Sequence, residues 1–242
     1  MSFASLDDRR RTARRRLTLL AAGLVMAAAG VTAFLVLNSG GSNDALPGAS
    51  TSSAAPAARP SAGSTTPDVL PKAREVKDGV PVGYPHTPEG AVSAAAHFYD
   101  VWDGFNPFAS ERQARAVAAP RSTEKMASDA FQIAVAARSD AGLNFVGESD
   151  NANYLTYRSR GYRIDTASAD RVKLWLLLDT QKSVKGITSS VVVVGTAEMV
   201  WADGDWKLVA LMYPKGEPQP PEATPDSADA AEKGWRSIAY EK

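Results

Sequence analysis

The 242-residue chain contains no cysteine and only two histidines, His86 and His97. Without cysteine there are no disulfides, no thiolate metal sites and no lipid-modified cysteine anchor, so any folded part must stand on its packed core. The two histidines lie at a spacing that matches no metal motif. A glycine-rich phosphate loop is lacking as well. The only adjacent glycines, Gly40 and Gly41, follow no strand pattern. No serine sits in a nucleophile elbow. We therefore expect no metal, no other cofactor and no catalytic residue. Nor is there an excess of one charge, because 27 basic and 27 acidic residues cancel.

That cancellation hides a segregated distribution. Residues 1–16 carry six arginines (Arg9, Arg10, Arg11, Arg14, Arg15, Arg16) against Asp7 and Asp8, a balance of +4. Residues 17–37 carry no charge, and the remainder is acidic by the same margin. An acidic remainder argues against nucleic acid as a partner, which wants a basic surface. The uncharged run, LTLLAAGLVMAAAGVTAFLVL, spans about 30 Å as a helix, the thickness of a hydrocarbon core. It is longer than the apolar stretch of a cleaved export signal, and Asn38-Ser39-Gly40 is a poor cleavage site. The arginines before it place the N-terminus in the cytoplasm and the rest of the chain outside.

Five segments follow from this reading. They are a cytoplasmic basic arm (1–16), a transmembrane helix (17–37), a disordered Ser/Ala/Pro/Gly linker (38–79), an extracytoplasmic α+β domain (80–213) and a proline-rich tail with room for a short helix (214–242). The linker has too little apolar surface to offset the entropy of ordering. Within the domain, Thr87-Pro88-Glu89 starts a helix running to about residue 103, with Thr87 as N-cap. A second, short helix follows Ser110, and a third covers about 122–139. The period then changes to two, giving strands over 154–166, 171–180, 187–201 and 206–213. Asp203-Gly204 reads as a two-residue hairpin turn that sets Trp201 opposite Trp206 and Met199 opposite Leu208. In the tail, Ala231, Trp235 and Ile238 recur at helical spacing. The expected fold class is α+β, three helices packed on a curved four-stranded antiparallel sheet.

Three stretches carry a resemblance. GVPVGYPHTPEGA over 79–91 is similar to the start of the external domain in a family of actinobacterial membrane proteins. GYRI over 161–164, followed by VKLW over 172–175, is similar to that family's first two core strands. VWADGDWKL over 200–208 resembles the closing hairpin of nuclear-transport-factor-2-like (cystatin-like) rolls. A single membrane helix with an external roll also resembles the bitopic scaffold subunits of type IV secretion and Gram-positive conjugation machines. The resemblance implies a non-catalytic, single-pass scaffold or interaction module at the cell membrane. Its partners would be other envelope proteins and, in a homo-oligomer, further copies of itself.

The same rolls also host isomerases and cyclases that use a carboxylate or histidine in a pocket between helix and sheet. An exported small-ligand binder or enzyme is therefore the alternative. Its candidate residues are His97, Asp100, Asp103, Tyr99 and Glu198. The plainer expectation puts His97 and Asp100 on a solvent-facing stripe of the first helix, Tyr99 and Trp102 in the core, and Glu198 in a surface or salt-bridged role. Arg158, Arg160 and Arg163, near Tyr157 and Tyr162, form a basic cluster suited to a phosphate or an acidic partner, or simply to a solvated strand face.

Overall fold

A computed structural model describes residues 64–210 and 218–240. The expected basic arm and membrane span lie outside these residues. No described helix is long and apolar enough to cross a membrane. The described residues belong to one unit, Pro60–Lys242.

The elements run β1 (Ser64–Leu70), β2 (Glu75–Lys77), β3 (Val80–Val82), α1 (Pro88–Val101), α2 (Pro107–Val117), α3 (Thr123–Asp140), β4 (Tyr154–Ala167), β5 (Arg171–Val184), β6 (Ile187–Ala202), β7 (Asp205–Leu208), α4 (Ala228–Glu232) and β8 (Arg236–Tyr240). Helix α1 begins as its residues dictate: the Thr87 side chain accepts from Gly90 N, and Pro88 occupies the first turn. Helix α2 starts earlier than the Ser110 reading. Asn106 caps it and Pro107 opens it, the same cap-then-proline device. Ser110 instead lies inside the helix, its hydroxyl donating to Asp103 O at 2.6 Å.

The expected three helices on a four-stranded antiparallel sheet are overturned. The sheet has six strands in the order β1-β8-β4-β5-β6-β7 and is mixed, because β1 and β8 run parallel. Both additional strands come from segments expected to lie outside the domain. β1 sits in the stretch expected to be a disordered linker, as does β2, which forms a separate small hairpin with β3. β8 sits in the tail, where the sequence left room for a short helix. Only residues 228–232 are helical, and the alternation of Ser237 with Ile238 and Tyr240 serves a strand instead.

Two apolar clusters result. On one face of the sheet, Val172, Leu174, Leu176 and Leu178 of β5 pack against Val92, Ala95, Phe98, Tyr99 and Trp102 of α1 and its cap. On the opposite face, Trp175, Leu177 and Val194 are covered by the tail residues Ala223, Ala230 and Trp235. The β6–β7 turn holds Asp203 and Gly204 at φ 54° and 77°. It pairs Trp201 with Trp206 and Met199 with Leu208, as the turn chemistry requires. The two indoles share one face, ring centroids 5.5 Å apart. Gly90 lets α1 meet this hairpin closely. A Cβ there would lie 2.0 Å from Pro85 O, the carbonyl that accepts from Trp206 Nε1 at 2.9 Å.

Candidate functional site

Where α1, β4 and β8 meet, polar groups collect. Asp100 and His97, one helical turn apart, do not form the expected solvent-facing stripe. Both are half-buried under β8. Asp100 accepts from Ser159 N through one oxygen and from the Tyr240 hydroxyl through the other. The Ser159 hydroxyl donates to Ala96 O at 3.1 Å. His97 lies between two phenol rings, with centroids 4.4 Å from Tyr240 and 5.5 Å from Tyr84. Its Nδ1 is 2.9 Å from Ser93 O, which makes Nδ1 the protonated nitrogen of the neutral ring.

Desolvation sets the electrostatics of this nest. It lowers the His97 pKa below its ordinary value, against the opposing pull of Ser93 O and Asp100. It raises the Tyr84 and Tyr240 hydroxyls far above the usual tyrosine range, with the Asp100 charge acting in the same direction. At neutral pH the His97 ring and both phenols are thus uncharged. The Tyr84 hydroxyl is fully buried and has no hydrogen-bond partner among the described residues. The sequence pattern singled out His97 and Asp100 but missed Tyr84 and Tyr240. Tyr240 could have been found only by reading 236–240 as an alternating strand.

The remaining candidates do not join this nest. Asp103 closes the α1–α2 turn, accepting from Phe105 N at 3.2 Å and from the Ser149 hydroxyl. Tyr99 is in the core, its hydroxyl donating to Thr196 O at 2.9 Å. Trp102, also buried, donates from Nε1 to Ser110 Oγ at 2.8 Å. Glu198 forms a surface ion pair with Arg171. The arginine cluster is divided. Arg158 is exposed, while Arg160 pairs with Asp226 and Arg163 donates to Lys233 O, both in the tail. Tyr157 stacks on Trp102 at 5.5 Å. Tyr162 is buried and donates to Asp68 of β1 at 2.8 Å. His86 stacks on Trp201 at 4.0 Å and meets Asp170 at 2.9 Å.

Space decides what these groups can do. Between α1 and the β6–β7 end of the sheet, a cavity that reaches neither His97 nor Asp100 measures about 10 Å³, bounded by Tyr84, Phe98, Met199, Trp206 and Leu208 among others. That is room for about one water. A second concavity, about 880 Å³, is an open groove between the β2–β3 hairpin, the end of α2 and the β6–β7 turn. Its walls mix Arg74, Lys77, Arg115 and Lys207 with Glu75, Asp203 and Asp205. Several of these are already engaged, since Arg115 pairs with Glu111 and Glu124, and Lys207 with Asp205. Among the described residues, no three or more His, Asp or Glu side chains come together in a way that could hold a metal ion.

A family profile described as a domain of unknown function, DUF8175, matches residues 43–232. The chain belongs to this family. The match takes in β1 through α4 and stops just before β8, so the family profile, unlike the boundaries expected at 80 and 213, includes β1 and the part of the tail that carries Ala223 and Ala230. No curated protein and no solved structure matches the chain.

Proposed function

We propose that this DUF8175 member is a single-pass membrane protein. Its α+β domain acts outside the cytoplasm as a non-catalytic scaffold or interaction module of a cell-envelope assembly, of the conjugation or type IV secretion kind. The observation that carries the non-catalytic part is the filled interior. An isomerase-like or small-ligand site needs a pocket between helix and sheet, with an acid or base reaching into it. Here the cavity between α1 and the β6–β7 end of the sheet is about 10 Å³, and Asp100 uses both oxygens on Ser159 and Tyr240. The open groove of about 880 Å³, with mixed charge along its walls, suits a polypeptide segment better than an enclosed small molecule. The anchored part rests on the uncharged run at 17–37 behind six arginines.

In-cell photo-crosslinking from groove positions such as Lys77 and Thr123 tests the reading. It should trap distinct envelope proteins reproducibly. Recovery of the chain alone, or crosslinked only to copies of itself, would sink the assembly role. A C-terminal reporter active only in the cytoplasm would overturn the orientation.

A further inference from the structure

A buried arginine holds an apolar loop outward at the start of α2. Arg138, in the last turn of α3, is buried and donates to three backbone carbonyls. Its Nε reaches Asn144 O at 2.6 Å, and its Nη1 reaches Phe105 O at 2.8 Å and Glu148 O at 3.4 Å. Gly147 leaves room for this clamp, since a Cβ there would lie 2.5 Å from Arg138 Nη2. Phe131 lies two turns before Arg138 on the same side of α3, about 10 Å along it. It meets Phe108 edge to face, with ring centroids 5.6 Å apart. The clamp therefore ties the loop 144–148 beside the Phe108–Phe131 pair. Between its bonded carbonyls the loop presents Phe145 and Val146, 62% and 48% exposed, and Phe108 is 52% exposed. Acids surround these side chains. Residues 139–150, SDAGLNFVGESD, include no base, and Asp140, Glu148 and Asp150 are all exposed. Asp103 adjoins them through the Ser149 hydroxyl. Against these four acids stand Arg112, exposed one turn beyond Phe108, and the buried Arg138, a balance of −2.

We propose that Phe108, Phe131, Phe145 and Val146 form a docking surface for a protein segment whose large apolar side chains are flanked by lysine or arginine. Large apolar side chains held at the surface inside a charged rim have the anatomy of a protein interface, with aromatic anchors at its centre. The clamp fixes the loop beforehand, so docking does not have to order it. Charge selects the occupant. The acidic rim attracts a basic segment and repels an acidic one. It disfavours an anionic bilayer surface for the same reason. A second copy docking through this patch would bring the same acids face to face. The surface is also distinct from the open groove, which lies at the other end of α2, beside Arg115 and Ala116. The proposal deepens the interaction-module reading by adding a second surface and a partner chemistry. It rests on neither the membrane anchor nor the groove.

The test uses the full chain in phosphatidylcholine nanodiscs and two synthetic amphipathic helices as probes. Both probes have the same leucine face, and one carries lysine elsewhere, the other glutamate. Fluorescence anisotropy of the labelled probes should show the lysine helix binding at least about tenfold more tightly. Phe145→Ser should weaken that binding about tenfold, and so should the pair Asp140→Lys and Glu148→Lys. All three side chains are exposed, so the melting temperature should stay unchanged and separate lost docking from lost folding. A benzoylphenylalanine in place of Phe145 should crosslink to the lysine helix, and one in place of Lys77 in the groove should not. Equal binding of the two probes would overturn the proposal. So would lysine-helix binding that Phe145→Ser leaves intact, because attraction to general acidity needs no patch. Crosslinks from position 145 to lipid rather than to the helix, in nanodiscs containing phosphatidylglycerol, would assign the patch to a membrane surface and equally overturn it. Failure of crosslinking from the groove in cells bears on the assembly reading and leaves these outcomes unchanged.

Discussion

At the scale of single residues, His97 has a consequence for pH. Its folded-state pKa is depressed by burial beside Tyr84 and Tyr240. The unfolded chain therefore takes up a proton at a pH where the folded chain does not. With more protons bound in the unfolded state, stability falls as pH drops. The loss starts near the ordinary histidine value of 6.5 and continues down to the depressed value. Urea titrations at pH 8 and pH 5 should show this loss in the native chain and a smaller one in His97→Phe, which keeps the stacking but cannot be protonated. An equal loss in both would remove His97 as the cause. Helical spacing correctly put His97 and Asp100 on one stripe but could not reveal what covers it. The cover is Tyr240, 140 positions from Asp100 along the chain. Gly204, at φ 77° in the hairpin turn, was by contrast legible from its dipeptide alone. Gly204→Ala should cost about 1 kcal/mol, measurable as a lowered urea midpoint at unchanged slope.

At the scale of elements, the tail behaves as the last layer of the domain. Trp235 is 1% exposed, its Nε1 donates to Pro221 O at 3.0 Å, and it packs on Trp175 and Leu177. Arg160 and Arg163, suited by sequence to a phosphate, an acidic partner or a solvated strand face, hold the same tail through Asp226 and Lys233. Trp235→Ala should cost about 3–5 kcal/mol, the range for removing a buried indole. Asp226→Ala should cost no more than about 1 kcal/mol, because that ion pair is over one-third exposed. Thermal melts of both variants check the ranking, and equal effects would mean that the tail is held by charge rather than packing. Helices α1 and α3 and strands β4 to β6 were legible because each carries its own period and its own start and stop residues. β1 was not. Seven residues containing Pro67 show no alternation, and they are a strand because β8 lies beside them with Arg236 paired to Asp68.

At the scale of the whole molecule, the sheet is completed only when both flanks of the domain arrive. β8 lies between β1 and β4, so among the described residues 236–240 are the only sheet partner of 64–70. Limited proteolysis of the full chain should leave a resistant fragment beginning before residue 64 and extending past residue 235. A resistant fragment beginning near residue 80, the boundary that composition suggests, would contradict the six-stranded sheet. Trimming β8 away should release β1 as well and make 64–77 protease-sensitive, while the β6–β7 hairpin at the far end of the sheet keeps its tryptophan pair.

What the sequence determined by itself is local. The segregated charge and the uncharged run at 17–37 follow from composition, the start of α1 from a cap and a proline, and the Trp201–Trp206 pairing from one turn dipeptide. The tertiary structure decided what depends on distant partners: that β1 and β8 complete the sheet, that the tail covers its second face, and that Asp100 and His97 are half-buried rather than exposed. The physical reason is the same in each case. A strand at the margin of a sheet takes its hydrogen bonds, and a half-polar helix stripe its cover, from residues far away in the chain, and no window of sequence contains both sides of such a contact.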